Sequence, residues 1–91
     1  MKEIRVGVVG IGHLGSYHLQ KYRELSNCRI VGVADIREER ARKAAEMHKC
    51  LAVAAHRELI GSVDAVSIAV PTVSHYSIAK DFLESGIDVL L

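Results

Sequence analysis

Short runs of β-branched residues alternate along the chain with longer stretches of helical periodicity. Four such runs predict strands, at residues 4–9 (IRVGVV), 29–34 (RIVGVA), 65–70 (AVSIAV) and 87–91 (IDVLL). Runs of this length and composition are typical of strands buried on both faces of a sheet. A weaker apolar stretch at residues 50–54 predicts a short additional strand, the third along the chain.

Helices are predicted between these strands. In residues 13–25 the positions Leu14, His18, Tyr22 and Leu25 recur at steps of four, four and three, which is the period of one helix face. Residues 37–49 are rich in good helix formers and carry Glu and Arg or Lys at favourable i,i+4 spacing. Residues 56–60 predict a single helical turn.

The last predicted helix covers residues 75–85. We expect Thr72 or Ser74 to cap its first turn and Gly86 to end it in the left-handed conformation. Its predicted buried face carries apolar side chains at positions 78, 82 and 83. Strands that alternate with helices in this way indicate an α/β fold of the Rossmann type, a doubly wound parallel sheet with strand order 3-2-1-4-5.

Composition limits the classes of function that the chain can have. Its 91 residues are enough for one domain, which we take to cover residues 1–91, and 49% hydrophobic content allows a core. A net charge of +1 argues against nucleic-acid binding by bulk charge, and the absence of Trp argues against a base-stacking platform. No apolar segment reaches the roughly 18 residues of a membrane span and no signal peptide is evident, so a cytoplasmic location is expected.

The two cysteines do not suggest a metal or disulfide framework. Cys28 and Cys50 are 22 residues apart and form no CxxC motif, so we expect two reduced thiols among core residues and no metal site.

A glycine motif follows the first predicted strand. It reads Gly10-Ile11-Gly12-His13-Leu14-Gly15, a GxGxxG that opens the first predicted helix. Gly10 permits a tight turn, Gly12 lets the backbone approach a pyrophosphate, and Gly15 lets the helix pack against the strand. Asp35 follows at the end of the second strand, twenty residues after Gly15. This spacing is the complete fingerprint of a dinucleotide site.

Asp35 indicates which dinucleotide binds. Asp35 would accept hydrogen bonds from the adenosine ribose hydroxyls and repel a 2′-phosphate, so we expect NAD rather than NADP, with the adjacent Ile36 also in contact. Arg37 and Arg40 leave NADP open, because either guanidinium could instead pair with a 2′-phosphate. The other interpretation of both arginines is a solvated helix face.

Two other uses of a glycine-rich loop fit less well. Methyltransferase loops usually carry an acid just before the first glycine, where this chain has Val8 and Val9. A Walker phosphate loop needs a lysine after its last glycine, where this chain has Ser16 and Tyr17.

Three segments together resemble the N-terminal domain of the Gfo/Idh/MocA oxidoreductases. They are IRVGVVGIGHLG, the VGVAD that ends at Asp35, and SIAVPTVSH at residues 67–75 with its Pro-x-x-x-His. The resemblance implies NAD(P)-dependent chemistry at a CH–OH group of a sugar, inositol or nucleotide sugar. It also implies that the nicotinamide half of the cofactor lies along four residues, with His75 close by: Ala69, Val70, Pro71 and Thr72. His75 has a second interpretation, as a first-turn helix residue.

Members of that family continue with Glu-Lys-Pro, whose lysine is catalytic, and then with a domain that carries the substrate pocket and the oligomer interface. This sequence ends at Leu91, before that motif, so we expect a cofactor half-site without catalytic residues, cut from a longer dehydrogenase. The alternative is a dinucleotide-binding or sensor module that works without catalysis. Partners other than the cofactor, namely a small polyol or sugar and a second copy of the chain, would depend on the missing domain.

Overall fold

Five strands and three α-helices alternate along residues 3–90, the part of the chain that the computed structural model describes. The strands are β1 (Ile4–Val9), β2 (Cys28–Ala34), β3 (Leu51–Val53), β4 (Ala65–Ile68) and β5 (Asp88–Leu90). The helices are α1 (His13–Glu24), α2 (Glu38–His48) and α3 (Thr72–Glu84), with a 3₁₀ turn at His56–Leu59 between β3 and β4. Each predicted element is present, although Leu91 of the predicted fifth strand lies outside the described residues.

All five strands are parallel and lie in the order β3-β2-β1-β4-β5, as predicted. The central strand β1 pairs with β2 on one side and β4 on the other, so the order of the strands reverses direction there. In such sheets a crevice opens beyond the carboxyl ends of the strands at this switch point. Val9, the last residue of β1, lies between Ala34 and Ile68 in the strand register.

The helices cover both faces of the sheet. Val8 and Val9 are adjacent in β1 but belong to different hydrophobic clusters, because successive side chains of a strand point to opposite faces. Val8 packs with residues of α1 and α2, whereas Val9 packs with the 3₁₀ turn and α3. The sheet is therefore doubly wound.

Two strand glycines make room for Leu59 of the 3₁₀ turn. Leu59 is fully buried, and a Cβ added at Gly32 would come within 2.8 Å of its Cδ2 atom. A Cβ added at Gly7 would lie 3.2 Å from its Cδ1 atom. Leu59 thus packs the end of the turn against β1 and β2.

The start of α3 differs from the prediction. The helix begins at Thr72 rather than residue 75, its N-cap is Pro71, and no side chain caps it. Neither Thr72 nor Ser74 therefore acts as the predicted cap. Pro71 has a φ of −53°, already helical, and its carbonyl accepts the Ser74 N–H at 2.9 Å, so the helix can start directly after the proline. Strand β4 correspondingly ends at Ile68 and not at residue 70.

The predicted buried faces of two helices were partly wrong. On α3, Leu83 is 60% exposed, and Ala79 and Phe82 are the buried residues. On α1, Leu14 and Leu25 are exposed, whereas Gly15 and Leu19 are buried. The physical reason on α1 is that the side with Gly15 allows the closest approach to the sheet, which turns Leu14 toward solvent.

Both cysteines are half-buried free thiols, and burial raises the pKa of Cys50. None of the helices within residues 3–90 has the length and apolar character needed to cross a membrane.

Candidate functional site

The turn after β1 requires a glycine at its first position. Gly10 has a φ of +93°, which side chains with a Cβ rarely adopt, and a Cβ there would lie 2.8 Å from the Ala69 carbonyl oxygen. Its N–H donates to the Ala34 carbonyl at 2.8 Å. The turn is therefore fixed between the ends of β2 and β4.

The third glycine of the motif brings helix α1 onto this turn. A Cβ added at Gly15 would overlap the Gly10 carbonyl oxygen. Gly15 is buried within α1, so the overlap could be relieved only by moving the helix or the turn. The packing role predicted for Gly15 is visible here, because a Cβ there would overlap the Gly10 backbone and would also lie 3.5 Å from Cγ1 of Val8 in β1.

Gly12 has the opposite environment, because space is open beside it. It is the N-cap of α1 with an ordinary φ of −86°, and the one atom close to an added Cβ would be Nη1 of Arg40, at 3.9 Å. No side chain caps α1. The first N–H groups of a helix lack partners within the helix and carry the positive end of its dipole. The start of α1 thus has the structure of an anion site that a Cβ at Gly12 would fill.

The carboxylate of Asp35 is fixed by two backbone N–H groups. Its Oδ2 accepts the Ile11 N–H at 2.7 Å, and its Oδ1 accepts the Arg37 N–H at 2.8 Å. A carboxylate has about four acceptor positions, so each oxygen can accept a further hydrogen bond. The side chain is therefore oriented by the glycine turn before any ligand binds.

A cleft of about 810 Å³ opens at this edge of the sheet. It brings together eight of the residues predicted from the sequence: Gly10, Gly12, Asp35, Ile36, Arg40, Ala69, Val70 and Pro71. Ile36 is 96% exposed, which leaves a large apolar side chain at the rim without a packing partner of its own. The cleft combines an apolar lining with one carboxylate and two guanidinium groups, from Arg37 and Arg40.

The remaining predicted residues do not line the cleft. Ile11 is buried under α2, and Gly15 is buried in α1. The other four lie in the first turns of α1 and α3: His13, Leu14, Thr72 and His75. The Nε2 atom of His75 is buried and has no hydrogen-bond partner among the described residues.

Sequence reasoning missed the wall of the cleft that follows β3. Ala54, Ala55 and His56 line it, and Ser74 and Ile78 of α3 extend it. The imidazole of His56 is fixed by a 2.7 Å contact between its Nε2 and Oδ2 of Asp81. No local pattern could reveal this contact, because the two residues are 25 positions apart.

Comparison with known proteins gives one family over nearly the whole chain. Residues 4–91 match the family model GFO_IDH_MocA, described as an oxidoreductase family with an NAD-binding Rossmann fold. UDP-N-acetylglucosamine 3-dehydrogenase of Acidithiobacillus ferrooxidans is 40% identical over 91 residues, which are 100% of this chain and 28% of that protein. Inositol 2-dehydrogenase 4 of Saccharopolyspora erythraea is 38% identical over 93 residues, covering 98% of this chain and 28% of that protein.

Solved structures agree with the sequence relatives. A crystal form of the same A. ferrooxidans enzyme, GnnA, superposes with a TM-score of 0.90 at 39% identity, covering 99% of this chain and 29% of that one. The chain thus spans under a third of the length of the relatives that it matches. The strand order, the glycine turn and Asp35 all lie within the matched region. The chain belongs to the Gfo/Idh/MocA oxidoreductase family and forms its NAD-binding Rossmann domain.

Proposed function

We propose that the cleft at the carboxyl edge of the sheet holds NAD(H), with the diphosphate on the start of α1 and the adenosine ribose on Asp35. One observation carries the proposal: the open space at Gly12 and the oriented carboxylate of Asp35 face the same cleft. The family assignment is consistent with this arrangement and does not by itself assign residues.

The diphosphate would be bound mainly by the backbone. The N–H groups of His13 and Leu14 lie in the first turn of α1, where no side chain competes for them. Arg40 supports this position, since its Nη1 is the atom nearest to a Cβ placed on Gly12. The role of His13 and Leu14 is therefore through their N–H groups, and their exposed side chains need no contact with the cofactor.

Asp35 would set the choice between NAD and NADP. Its oxygens can accept the two ribose hydroxyls, and its charge would repel a 2′-phosphate. Arg37 and Arg40 favour the phosphate, but each is an exposed guanidinium worth at most about 1 kcal/mol. Asp35 lies closest to the turn and is held by it, so NAD is the expected cofactor, with the exposed Ile36 covering the adenosine.

The nicotinamide half would lie along the segment after β4. Ala69, Val70 and Pro71 form that wall of the cleft, and Thr72 and His75 follow in the first turn of α3. The buried Nε2 of His75 lacks a protein partner within the described residues, so this imidazole has hydrogen-bonding capacity left for a ligand.

For the longer protein we propose oxidation of a CH–OH group of a sugar, an inositol or a nucleotide sugar, in homo-oligomeric form. The support is that relatives at 40% and 38% identity are named as dehydrogenases of UDP-N-acetylglucosamine and inositol. Bound NAD⁺ would supply the hydride acceptor, and the hydroxyl proton must go to a base. No lysine is among the residues that line the cleft within residues 3–90. We place that base in the Glu-Lys-Pro segment that follows the fifth strand in members of this family, and the substrate pocket in a further domain.

Calorimetry tests the binding proposal directly. Titration of the chain with NAD⁺ is expected to release binding heat with weak affinity, because the nicotinamide end is open to water. Specific binding is at its weakest near a dissociation constant of about 1 mM. If the heat at about millimolar NAD⁺ equals the heat of dilution, the site is refuted. Steady turnover of a polyol by these 91 residues would contradict the placement of the base beyond residue 91.

A further inference from the structure

The cleft has a wall that the proposed cofactor contacts do not explain. It consists of Ala54, Ala55 and His56, where β3 leads into the 3₁₀ turn. These residues lie beside the end of β2 because β3 pairs with β2 up to Val53. The wall therefore borders the part of the cleft next to Asp35, the end proposed for the adenosine.

The side chains of His56 and Arg57 connect this wall to Asp81 of α3. The Nε2 atom of His56 lies 2.7 Å from Oδ2 of Asp81, and Nε of Arg57 donates to the same oxygen at 3.1 Å. The side chains of His56 and Asp81 are only 22% and 21% exposed, whereas Arg57 is 73% exposed. The His56 ring also packs on Phe82, with ring centroids 5.7 Å apart. The imidazole is thus held by a hydrogen bond and by a fully buried aromatic ring.

The same helix supplies the facing wall of the cleft. Ser74 and Ile78 of α3 line it, and Asp81 lies one turn further along the helix. The contact between His56 and Asp81 therefore joins two walls that belong to different elements. The other end of the 3₁₀ turn is held by Leu59 against Gly7 and Gly32, so Asp81 fixes the end of the turn that faces the cleft.

We propose that Asp81 is a positioning residue for the dinucleotide, which acts through His56 by holding the two walls of the cleft at the spacing that the adenosine half requires. The inference rests on the proposed function, because it concerns affinity for the same cofactor. Loss of the Asp81 carboxylate would free the His56 ring and loosen the wall without removing any group that contacts the diphosphate or the ribose.

The local charges favour an ionised Asp81. The hydrogen bond from His56 is the largest influence and lowers the pKa of Asp81, burial opposes this, and Arg57 lowers the pKa further. Glu58 is engaged elsewhere, since its carboxylate accepts the Ala55 N–H at 3.0 Å. On the other sides of the cleft the charged groups are Asp35, Arg37 and Arg40.

The contact gives the test a readout that stability alone does not give. If Asp81 acts through His56, substitutions at the two residues weaken NADH binding through the same step, so their effects on the dissociation constant are not additive. A purely structural contact would change the melting temperature and leave the affinity for NADH unchanged.

The test uses Asp81→Asn and His56→Gln, with Asp64→Asn as the matched control. Asp64 also accepts from an arginine, Arg5, in a partly exposed ion pair, but it does not line the cleft. The dissociation constant for NADH is measured by fluorescence, together with the melting temperature. We expect Asp81→Asn to raise the constant about fivefold and Asp64→Asn to leave it unchanged.

His56→Gln should weaken NADH binding as well, and the double variant with Asp81→Asn should bind NADH no more weakly than His56→Gln alone. The proposal is overturned if Asp81→Asn binds NADH as the unaltered chain does, or if it weakens binding further in the His56→Gln background. Failure of the unaltered chain to bind NADH would instead refute the proposed function. The two failures are therefore distinguishable.

Discussion

The Asp35 carboxylate and the Ile11 N–H form a 2.7 Å hydrogen bond that joins the end of β2 to the glycine turn after β1. The acid of the dinucleotide fingerprint therefore has a structural partner within the chain itself. Because the Arg37 N–H binds the other oxygen, the carboxylate is oriented from two sides. Substitution of Asp35 therefore tests the recognition of a ribose that we propose for it.

Asp35→Ser is expected to narrow or invert the preference for NADH over NADPH. The change removes the repulsion of a 2′-phosphate and leaves Arg37 and Arg40 in place, and lost ribose hydrogen bonds weaken NADH binding by about 1 to 3 kcal/mol. The ratio of the two dissociation constants, measured by fluorescence, checks this. Asp35→Asn is the control, since it removes the charge but keeps one oxygen acceptor. An unchanged ratio in both variants would mean that the acid does not recognise the ribose.

Gly15→Ala is expected to destabilise the fold by more than about 2 kcal/mol, because the new Cβ overlaps the Gly10 carbonyl oxygen and forces α1 away from the turn. Gly12→Ala is the matched control. Its Cβ enters open space at an ordinary φ, so its free energy of unfolding should fall only by the N-cap preference of Gly over Ala, about 1 kcal/mol or less. Urea denaturation measures both. Equal stability of the two variants would contradict the packing described for Gly15.

The hydroxyl groups of Tyr22 and Ser67 form a hydrogen bond between α1 and β4, and Ser67 is completely buried. Tyr22→Phe should lower the free energy of unfolding by about 1 to 3 kcal/mol, since it leaves the Ser67 hydroxyl unpaired. The double variant with Ser67→Ala should recover part of this loss, because neither partner is then left unpaired. A double-mutant cycle in urea measures the coupling. Additive effects would show that the bond does not contribute to stability.

We expect the free energy of unfolding to depend on pH because of His48. Burial is the main cause of its lowered pKa, and the nearby Arg23 adds to it. Above the ordinary value of 6.5 the imidazole is neutral in both states. As pH falls below 6.5 the unfolded chain takes up the proton first, so the free energy of unfolding decreases. His48→Gln should reduce this decrease and Arg23→Gln should reduce it less. If the free energy of unfolding decreases equally as pH falls in the unaltered chain and in both variants, His48 is not the cause of the decrease.

Much of the fold could be predicted because its signals are local. The β-branched runs, the helical periods and the glycine turn gave the five strands and their order, and Asp35 at the end of β2 gave one side of the cleft. Helix faces were less predictable, since the side chosen on α1 depends on the close contact of Gly15 with the turn. The spacing of apolar residues along the sequence carries no information about that contact.

The far wall of the cleft could not be predicted for a related reason. His56 belongs to no sequence pattern. Its position depends on Asp81, which is 25 residues away, and on Leu59 of the same turn, which packs against the glycines of β1 and β2. The start of α3 was also missed. A proline in the short segment after a strand can serve directly as the N-cap of the next helix, so the polar residues after it were not needed as caps.

The most direct test of the account is the binding of NADH to the unaltered chain and to Gly12→Val. A larger side chain at Gly12 would occupy the place proposed for the diphosphate. Within the described residues the nearest atom to the new Cβ is Nη1 of Arg40, at 3.9 Å, so we expect the fold to be kept. Fluorescence titration should show binding to the unaltered chain and none to Gly12→Val, with equal circular dichroism spectra. Binding of NADH to Gly12→Val with the affinity of the unaltered chain would contradict the proposed site.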